Sequence, residues 1–403
     1  MKIQTRKLNL RWVLSVVAVL ALGFITWFVV RFNNQLLPLI FPPDDLIWEA
    51  PEYSLISIQL EDKGVTRANA NLGDLDKDGD LDIVLAKGRH WPLVEFVLLN
   101  DGEGGFSNRH EVNADADRTY TAALADLDGD NDLDLVVGND RPDTKRIYKN
   151  DGTGKFTLTG TFGDADWPTR NVTVVNLTGD NRPDIVVANR GGPNNLSANQ
   201  ICINDGTGNS FDCKQLSTES ATTIAAGDFN NDGFVDLVVP HRDGGQSYIF
   251  LNDGEGGFSD KRAVGPSKSG SRAVAVADLN GDTFQDVVIG DPVKGGARVY
   301  LNNGSALFPS SFALGERMGH VYSIATADMD DDGDMDVIFG NRLAPGAILL
   351  KDDGENSYSA MKFGDGEGAV YGLSLGDVNS DGILDIVTAR SDAPNMLYQG
   401  IRQ

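Results

Sequence analysis

The stretch Gly73–Val84, "GDLDKDGDLDIV", places five aspartates within nine residues and leads directly into an apolar run. Such crowding is unfavourable by itself, because two carboxylates about 5 Å apart repel each other by roughly 3 kcal/mol at an effective dielectric constant of 20. A bound cation would remove this repulsion. The stretch therefore predicts a cation-binding loop that precedes a buried strand.

The same loop recurs along the chain at intervals of 49 to 52 residues. The copies follow the pattern D-x-[DN]-x-D-[GN]-x-x-D, with a few departures, and each is followed by a short apolar run. Self-similarity at about fifty residues is typical of a β-propeller, in which each repeat forms one blade. The seven copies, called loops 1 to 7, begin at Asp74, Asp126, Asn176, Asp228, Asp278, Asp328 and Asp377.

Oxygen-bearing side chains occupy the first, third, fifth and ninth positions of every loop. The sixth position is Gly or Asn, which tolerate a left-handed backbone, with Thr283 as the exception. The seventh varies freely, so only its carbonyl could serve as a ligand. This arrangement resembles the first nine positions of an EF-hand loop, but a strand follows it instead of a helix.

We predict that the loops bind up to seven Ca²⁺ ions, because Mg²⁺ favours a stricter octahedron and Zn²⁺ favours His or Cys. Loop 3 is the weakest predicted site, since Asn176 and Thr178 replace acids. The alternative is that the aspartates only cap turns. Turn capping requires one carboxylate per loop, whereas loops 1, 2 and 6 each hold four at the predicted ligand positions. The predicted ligands are Asp74, Asp76, Asp78, Asp82, Asp126, Asp128, Asp130, Asp134, Asn176, Thr178, Asp180, Asp184, Asp228, Asn230, Asp232, Asp236, Asp278, Asn280, Asp282, Asp286, Asp328, Asp330, Asp332, Asp336, Asp377, Asn379, Asp381 and Asp385.

Two signals define the strands of each repeat. An apolar run such as "DIVLA" after each loop indicates a strand that is covered on both faces. A second run ends in a turn such as "NDGEGGF", typical of a hairpin. Each repeat thus has four strands, A and B around the loop and C and D around the turn, and the chain is predicted to be an all-β, seven-bladed propeller.

The last repeat lacks its strand D, whereas residues 53–60, "YSLISIQL", stand alone before the first repeat. We expect this N-terminal segment to complete the last blade and close the ring. The propeller would then occupy residues 53–403.

These repeats resemble the FG-GAP or VCBS repeat propellers, a family that includes the integrin α-subunit head, certain fungal lectins and many bacterial surface proteins. The resemblance covers residues 53–403, and "PDIVVANRGGPNN" at 183–195 is closest to the VCBS form. It implies a calcium-bound scaffold for cell adhesion or carbohydrate binding, which occasionally carries lyase or dehydratase chemistry. Fold alone does not decide among these functions.

The N-terminus predicts a membrane anchor. Residues 12–30 are uncharged and, as a helix, would span roughly 28 Å, close to the thickness of a bilayer core. Basic residues in the tail 1–11 place that tail in the cytoplasm, and the prolines of 31–52 indicate a stalk. The alternative is a cleaved signal peptide, although the apolar run is long for one.

The propeller would therefore be extracytoplasmic. A glycosylation sequon at Asn176 coincides with a predicted metal ligand, which favours a bacterial periplasm or cell surface over a glycosylating pathway. Cys202 and Cys213 flank the blade 3 turn and are candidates for a disulfide between strands C and D, consistent with an oxidising compartment. The formal charge of −25 opposes nucleic-acid binding.

The face opposite the calcium loops is the candidate ligand face. Six residues before each loop, at the start of strand A, stand Ala68, Tyr120, Arg170, Thr222, Arg272, Tyr322 and Tyr371. The B-to-C connections on the same face add Arg89, His90, Arg190, His241, Arg242, Arg342 and Arg390. Arginines and aromatic rings suit an anionic or sugar-like ligand, with pairing to Asp140, Asp243 or Asp392 as the alternative role of the arginines.

Motifs of common enzyme classes are absent from the sequence. His241 and His320 could converge across the central opening, as the base of a polysaccharide lyase would, but the favoured interpretation is that they are rim histidines without a catalytic role. The sequence favours a membrane-anchored binding module for a glycan or protein ligand, with a polysaccharide-active enzyme or an envelope assembly factor as alternatives.

Overall fold

A computed structural model of the protein describes residues 46–47, 53–61, 67–191, 198–352 and 357–402. The predicted tail (1–11) and transmembrane helix (12–30) lie outside these residues, as does most of the predicted stalk (31–52). No helix with the length and apolar character needed to cross a bilayer occurs among the described residues. All named regular elements are β-strands.

The seven repeats form seven antiparallel four-stranded units, which confirms the predicted propeller. Blades 1 and 2 consist of Arg67–Gly73, Asp82–Lys87, Phe96–Leu99 and Asn108–Glu111, and of Thr119–Ala125, Asp134–Asn139, Lys145–Asn150 and Phe156–Phe162. Blades 3 and 4 consist of Thr169–Val175, Asp184–Asn189, Asn199–Asn204 and Phe211–Ser217, and of Ala225–Gly227, Asp236–Val239, Ser247–Leu251 and Asp260–Val264. Blades 5 and 6 consist of Val274–Ala277, Asp286–Gly290, Ala297–Leu301 and Ser310–Leu314, and of His320–Ala327, Asp336–Arg342, Gly346–Lys351 and Tyr358–Phe363. Blade 7 consists of Ala369–Gly376, Asp385–Ser391, Met396–Arg402 and Tyr53–Gln59.

Strand B is apolar after its initial aspartate because both of its faces pack against other blades. In blade 1, Val84 packs with residues of blade 2, whereas Ile83 and Leu85 pack with residues of blade 7. Successive side chains of a strand point to opposite faces, so the run alternates between two interblade cores. The hydrophobic core therefore lies between the blades.

The ring closes between blades 7 and 1. The innermost strands of neighbouring blades are in contact all around the ring, including Ala369–Gly376 with Arg67–Gly73. Ser374 Oγ donates to the Ala70 carbonyl at 2.6 Å across this junction. The strand Tyr53–Gln59 pairs along its whole length with Met396–Arg402, so the N-terminal strand completes the last blade.

Two further links involve individual residues. Leu46 and Ile47 form a short strand that pairs in parallel with Tyr358 and Ser359 at the outer edge of blade 6. Cys202 and Cys213 are opposite each other in strands C and D of blade 3 and are joined by a disulfide.

The closing strand should contribute measurably to stability. Leu55 packs against the core of blades 6 and 7, and Ile58 packs against the core of blades 7 and 1. We expect the double variant Leu55→Ala/Ile58→Ala to lose about 2–4 kcal/mol of unfolding free energy, because both side chains leave partly buried sites. Denaturant titration measures this loss.

Ile56 is the matched control, because it lies on the same strand and its side chain is 52% exposed. Ile56→Ala should change the unfolding free energy by no more than about 0.5 kcal/mol. Equal losses of unfolding free energy in the double variant and in Ile56→Ala would show that the buried side chains Leu55 and Ile58 do not account for the stability that the closing strand contributes.

Candidate functional site

The loops and the candidate ligand residues lie on opposite faces of the ring. The A-to-B loops adjoin the C-to-D turns, as shown by the Gly154 N–H donating to the Leu75 carbonyl at 2.8 Å. The starts of strands A and the B-to-C connections meet in a cavity at the other end. The two predicted sites are therefore structurally separate.

The ninth-position aspartates are buried, and each accepts two backbone N–H groups. In blade 1, Asp82 accepts the Leu75 N–H at 2.9 Å through Oδ2 and the Asn100 N–H at 2.8 Å through Oδ1. The same pair of bonds is made by Asp134, Asp184, Asp236, Asp286, Asp336 and Asp385. Burial raises the pKa of Asp82 to about 6 and that of Asp336 to about 7.

The loop backbone turns sharply at two positions. The predicted left-handed residue at position six is observed, with φ of 97° at Gly79 and 75° at Thr283. A second left-handed residue stands at position four, for example Lys77 with φ of 63°. Sequence reasoning missed this position, because Lys, Gly, Asn, Asp and Ser all occur there.

The carboxylates of the acidic loops have the spacing that ligands of one calcium ion require. Carboxylate oxygens of Asp74, Asp76 and Asp78 lie within 4.8 Å of one another, as do those of Asp328, Asp330 and Asp332 and those of Asp126, Asp128 and Asp134. Oxygens that share one Ca²⁺ at about 2.4 Å can be at most about 4.8 Å apart. Buried oxygens without a hydrogen-bond partner remain on Asp74, Asp76 and Asp330. Such unpaired oxygens are expected where a cation belongs.

The remaining loops have fewer charges. In loops 4, 5 and 7 the third residue is an asparagine whose side-chain amide donates to the fifth-position carboxylate. In loop 4, for example, Asn230 Nδ2 lies 2.8 Å from Asp232 Oδ2. In loop 3, the Thr178 hydroxyl is buried without a partner, and Asn176 accepts the Gly179 N–H at 2.9 Å. These loops supply oxygens at the predicted positions but less negative charge.

On the opposite face, the start of every strand A lines one cavity of about 200 Å³. The contributing residues are the seven that the sequence places there: Ala68, Tyr120, Arg170, Thr222, Arg272, Tyr322 and Tyr371. In blade 2 the pairing register shifts between Thr119 and Thr121, so Tyr120 sits on a β-bulge. Bulges at the same position in blades 1, 3, 6 and 7 carry Ala68, Arg170, Tyr322 and Tyr371. A bulge redirects a side chain, and here the redirected side chains line the cavity.

Positive charge surrounds this cavity. Its lining includes five arginines and, among the described residues, no acid: Arg89, Arg170, Arg190, Arg242 and Arg272. The Nε–H groups of Arg89 and Arg242 are buried without a hydrogen-bond partner. An adjoining cavity of about 750 Å³ has Arg342, Glu367 and Asp392 in its lining, and Arg89, Arg190, Arg242 and Arg272 line both cavities. Unpaired buried donors of this kind favour an anionic ligand.

Some of these arginines also pair with carboxylates that are not part of the cavity lining, and Arg190 lies 4.0 Å from one of them, Asp243. Arg170 lies 2.7 Å from Asp140, and Arg242 lies 3.1 Å from Asp243. For Arg272, no carboxylate partner occurs within the described residues. Burial, together with repulsion from Arg272 and Arg190, lowers the pKa of Arg242 to about 10. Internal pairing therefore accounts for only part of the positive charge.

The tyrosine rings are covered by arginines. The guanidinium carbon lies 3.8 Å from the ring centroid for Arg89 over Tyr371, 4.3 Å for Arg170 over Tyr120 and 4.6 Å for Arg272 over Tyr322. Tyr322 and Tyr371 also pack edge to face, with centroids 5.1 Å apart. The rings thus orient guanidinium groups, and these faces are not free to stack on a sugar.

The structure does not bring every predicted ligand residue to the cavity. His241 is outside the lining of both cavities, and its Nδ1 accepts the N–H groups of Asp243 and Gly245 at 3.3 Å. Arg390 is 3% exposed and bonds to Asp365 and Pro394. A convergence of His241 and His320, the less favoured interpretation from the sequence, is not seen among the described lining residues, where the histidine is His90. The lining also includes Asn69 and Asn171, which sequence reasoning missed.

Comparison with known protein families agrees with this architecture. Five overlapping matches to the FG-GAP-like repeat cover residues 74–137, 126–187, 176–239, 228–289 and 278–339. The chain belongs to the FG-GAP-like repeat family. The matched residues, 74–339, contain loops 1 to 6, and each match spans two successive loops.

The FG-GAP-like chain has no matching relative among curated proteins. Among solved structures, it is similar to a crystal structure of BBS1N in complex with ARL6DN soaked with lead, at 13% identity and a TM-score of 0.56, covering 88% of this chain and 97% of that one. A mercury-soaked crystal of the same complex gives 13% identity and a TM-score of 0.59, covering 87% and 97%. At this identity the likeness concerns the fold.

Proposed function

We propose that this FG-GAP-like propeller is a membrane-anchored, extracytoplasmic binding module that captures an anionic group of a glycan or protein ligand in its central cavity. The observation that carries the proposal is the ring of guanidinium groups from Arg89, Arg190, Arg242 and Arg272 around a cavity without a described acidic lining residue. Arginine forks match the geometry of carboxylates and phosphates. A small anionic group on a larger ligand suits a cavity of about 200 Å³.

The arrangement of the rings favours charge recognition over stacking. Because Arg89, Arg170 and Arg272 cover tyrosine faces, a ligand meets guanidinium edges first. A charged sugar such as a uronate, or an acidic peptide segment, carries the carboxylate that these edges recognise. The solved complex of BBS1N with ARL6DN, a protein of the same fold with a protein partner, supports a protein ligand as one source of that carboxylate.

Calcium would have a structural role in this module. The aspartates at positions one, three, five and nine would hold the ion, and its charge would neutralise their mutual repulsion. The loops are remote from the cavity, so calcium would stabilise the scaffold without contacting the ligand. The anchor in residues 12–30 and the periplasmic or surface location remain predictions from sequence.

One observation favours a second candidate, a polysaccharide-active enzyme of the lyase type. The Tyr120 hydroxyl lies 3.1 Å from Nε2 of His90 on the cavity wall. Burial and the neighbouring Arg89 lower the pKa of His90, which favours the neutral imidazole, the form that can accept a proton. Arginines beside it would stabilise the carboxylate of a uronate during proton abstraction.

Incubation of the full chain with uronate polymers, followed by ultraviolet detection of unsaturated products, decides between the enzyme and the binding module. If the lyase reading is right, His90→Ala abolishes product formation while His241→Ala, outside the cavity, retains it. Absence of product across a broad panel of polymers rejects the enzyme and leaves the binding proposal intact.

The binding proposal predicts that ligand affinity depends on the cavity arginines. Arg242→Ala and Arg272→Ala should each weaken binding of uronate oligosaccharides or acidic peptides by about 10- to 100-fold, because each removes a charge-assisted hydrogen bond of about 1.5–3 kcal/mol. Calorimetric titration of the full chain measures the affinity. Methyl esters of the same probes should bind as weakly as the variants bind the free acids.

Arg262→Ala is the matched control, since Arg262 lies on the outer strand Asp260–Val264 and pairs with Asp260. It should bind like the wild-type protein. Equal affinity for acids and esters, or no effect of Arg242→Ala and Arg272→Ala, would refute recognition of an anion in the cavity.

The calcium proposal predicts that chelation lowers the melting temperature of the full chain. A site with Ca²⁺ at 100 times its dissociation constant adds about 2.7 kcal/mol of stability. Asp332→Ala should reduce calcium-dependent stabilisation more than Thr178→Ala, because it removes a charged ligand from an acidic loop. Identical melting curves with calcium and with chelator would contradict the metal assignment.

A further inference from the structure

Loop 2 differs from the other acidic loops because a lysine contacts two of its ligand-position aspartates, whereas Lys351 contacts loop 6 only at its seventh residue, Asp334. Nζ of Lys149, on strand C of blade 2, lies 2.6 Å from Asp134 Oδ2 and 3.0 Å from Asp128 Oδ2. These two carboxylates, with Asp126, are the group of loop 2 whose oxygens cluster within 4.8 Å. The ammonium therefore lies against the same oxygens that would hold a metal ion.

The comparison with loops 1 and 6 is direct, because all three loops have aspartate at positions one, three, five and nine. Loops 1 and 6 retain buried oxygens without hydrogen-bond partners on Asp74, Asp76 and Asp330. In loop 2, the two ligand-position aspartates that are not exposed, Asp126 and Asp134, have hydrogen-bond partners on both carboxylate oxygens. Lys149 is one of the partners of Asp134.

Lys149 occupies a position that is apolar in most other blades. It directly precedes Asn150, whose backbone N–H donates to the ninth-position aspartate. The equivalent residues of the other blades are Leu99 (blade 1), Ile203 (blade 3), Leu251 (blade 4), Leu301 (blade 5), Leu350 (blade 6) and Gln399 (blade 7). The side chains also lie in the same place, under a turn glycine of the next blade: Leu99 under Gly154, Lys149 under Gly208 and Ile203 under Gly256. A lysine thus replaces a core aliphatic residue in one blade.

A second lysine reinforces the replacement. Lys77 of loop 1 forms an ion pair with Asp132 at the seventh position of loop 2. Lys149 and Lys77 together bring two positive charges to loop 2, the same charge as one Ca²⁺. Lys149 is 14% exposed, whereas Lys77 is 50% exposed, so Lys149 is the less screened of the two.

We propose that Lys149 serves as the built-in cation of loop 2, so that blade 2 is held without metal and the protein binds one Ca²⁺ fewer than its acidic loops predict. The inference rests on the proposed calcium scaffold only for the number of ions at the other loops. Its own claim concerns loop 2: an ammonium group and a divalent cation exclude each other there.

The test is the substitution Lys149→Leu, which installs the residue that four other blades carry at this position. Calcium stoichiometry of the full chain, measured by equilibrium dialysis with Ca²⁺ alone, should rise by one ion per protein. In chelator, Lys149→Leu should melt below the wild-type protein, and saturating calcium should remove most of that difference. The control Lys155→Leu deletes an exposed lysine from the turn of the same blade and should leave both the stoichiometry and the chelator response unchanged.

The outcomes separate this inference from the calcium scaffold. If Lys149→Leu binds one more calcium ion than the wild-type protein, the inference is supported. This holds even if the wild-type protein binds no calcium, a result that would contradict only the proposed calcium scaffold. An unchanged stoichiometry in Lys149→Leu overturns the inference even if the wild-type protein binds calcium at other loops. Calcium-independent destabilisation of Lys149→Leu without a gained ion also overturns it, because the lysine would then be only a structural ion pair.

Discussion

The fold depends on one repeated interaction, the buried ninth-position aspartate that accepts two backbone N–H groups. In blade 1, Asp82 joins the start of the loop at Leu75 to the end of strand C at Asn100. This single carboxylate fixes the loop, strand B and strand C relative to one another. Without it, two buried N–H groups would lose their acceptor, each at a cost of about 1–3 kcal/mol.

The same bond fixes the position of the turn asparagine, which then joins neighbouring blades. Asn100 donates to the Val378 carbonyl of blade 7 at 2.7 Å, and Asn150 donates to the Leu75 carbonyl of blade 1 at 2.8 Å. Blades 6 and 7 have Lys351 and Gly400 at this position and lack the asparagine side-chain bond. The junction of blade 7 with blade 6 is instead reinforced by pairing of Arg342 with Ala369. In blades 1 to 5, one buried acid per blade thus helps to hold neighbouring blades together.

Much of this architecture was predictable, because it rests on local patterns that repeat. Seven loops with one spacing predicted seven blades, and the orphan segment at 53–60 predicted the closing strand. The start of strand A was also located correctly, since Tyr120 and its equivalents are at a constant distance from the loops. The bulges were not predictable. In a regular strand, Asn69 and Asn171 would point to the face opposite that of their neighbours Ala68 and Arg170, but the register shift brings all four residues to the same cavity.

Long-range pairing was the other limit of sequence reasoning. Arg390 and Arg242 are both arginines of B-to-C connections, yet Arg390 is buried against Asp365, 25 residues away, and Arg242 faces the cavity. Lys149 gave no signal in the loop pattern, because it contacts loop 2 from strand C. Side chains that reach a site from another strand are invisible to a motif.

The charge distribution argues that the cavity arginines are kept for binding. In a chain with a formal charge of −25, acids are abundant, and neutralising each arginine by a neighbouring carboxylate would be simple. Arg170, Arg190 and Arg242 do have such partners, but these carboxylates are not among the described residues that line the cavity. Placing several guanidinium groups around one cavity is electrostatically unfavourable, which supports the proposal that an anionic ligand binds there. The tyrosines that hold these guanidinium groups in place reduce the entropy that a ligand would lose in ordering them, so the same rings that exclude sugar stacking favour tight capture of an anion.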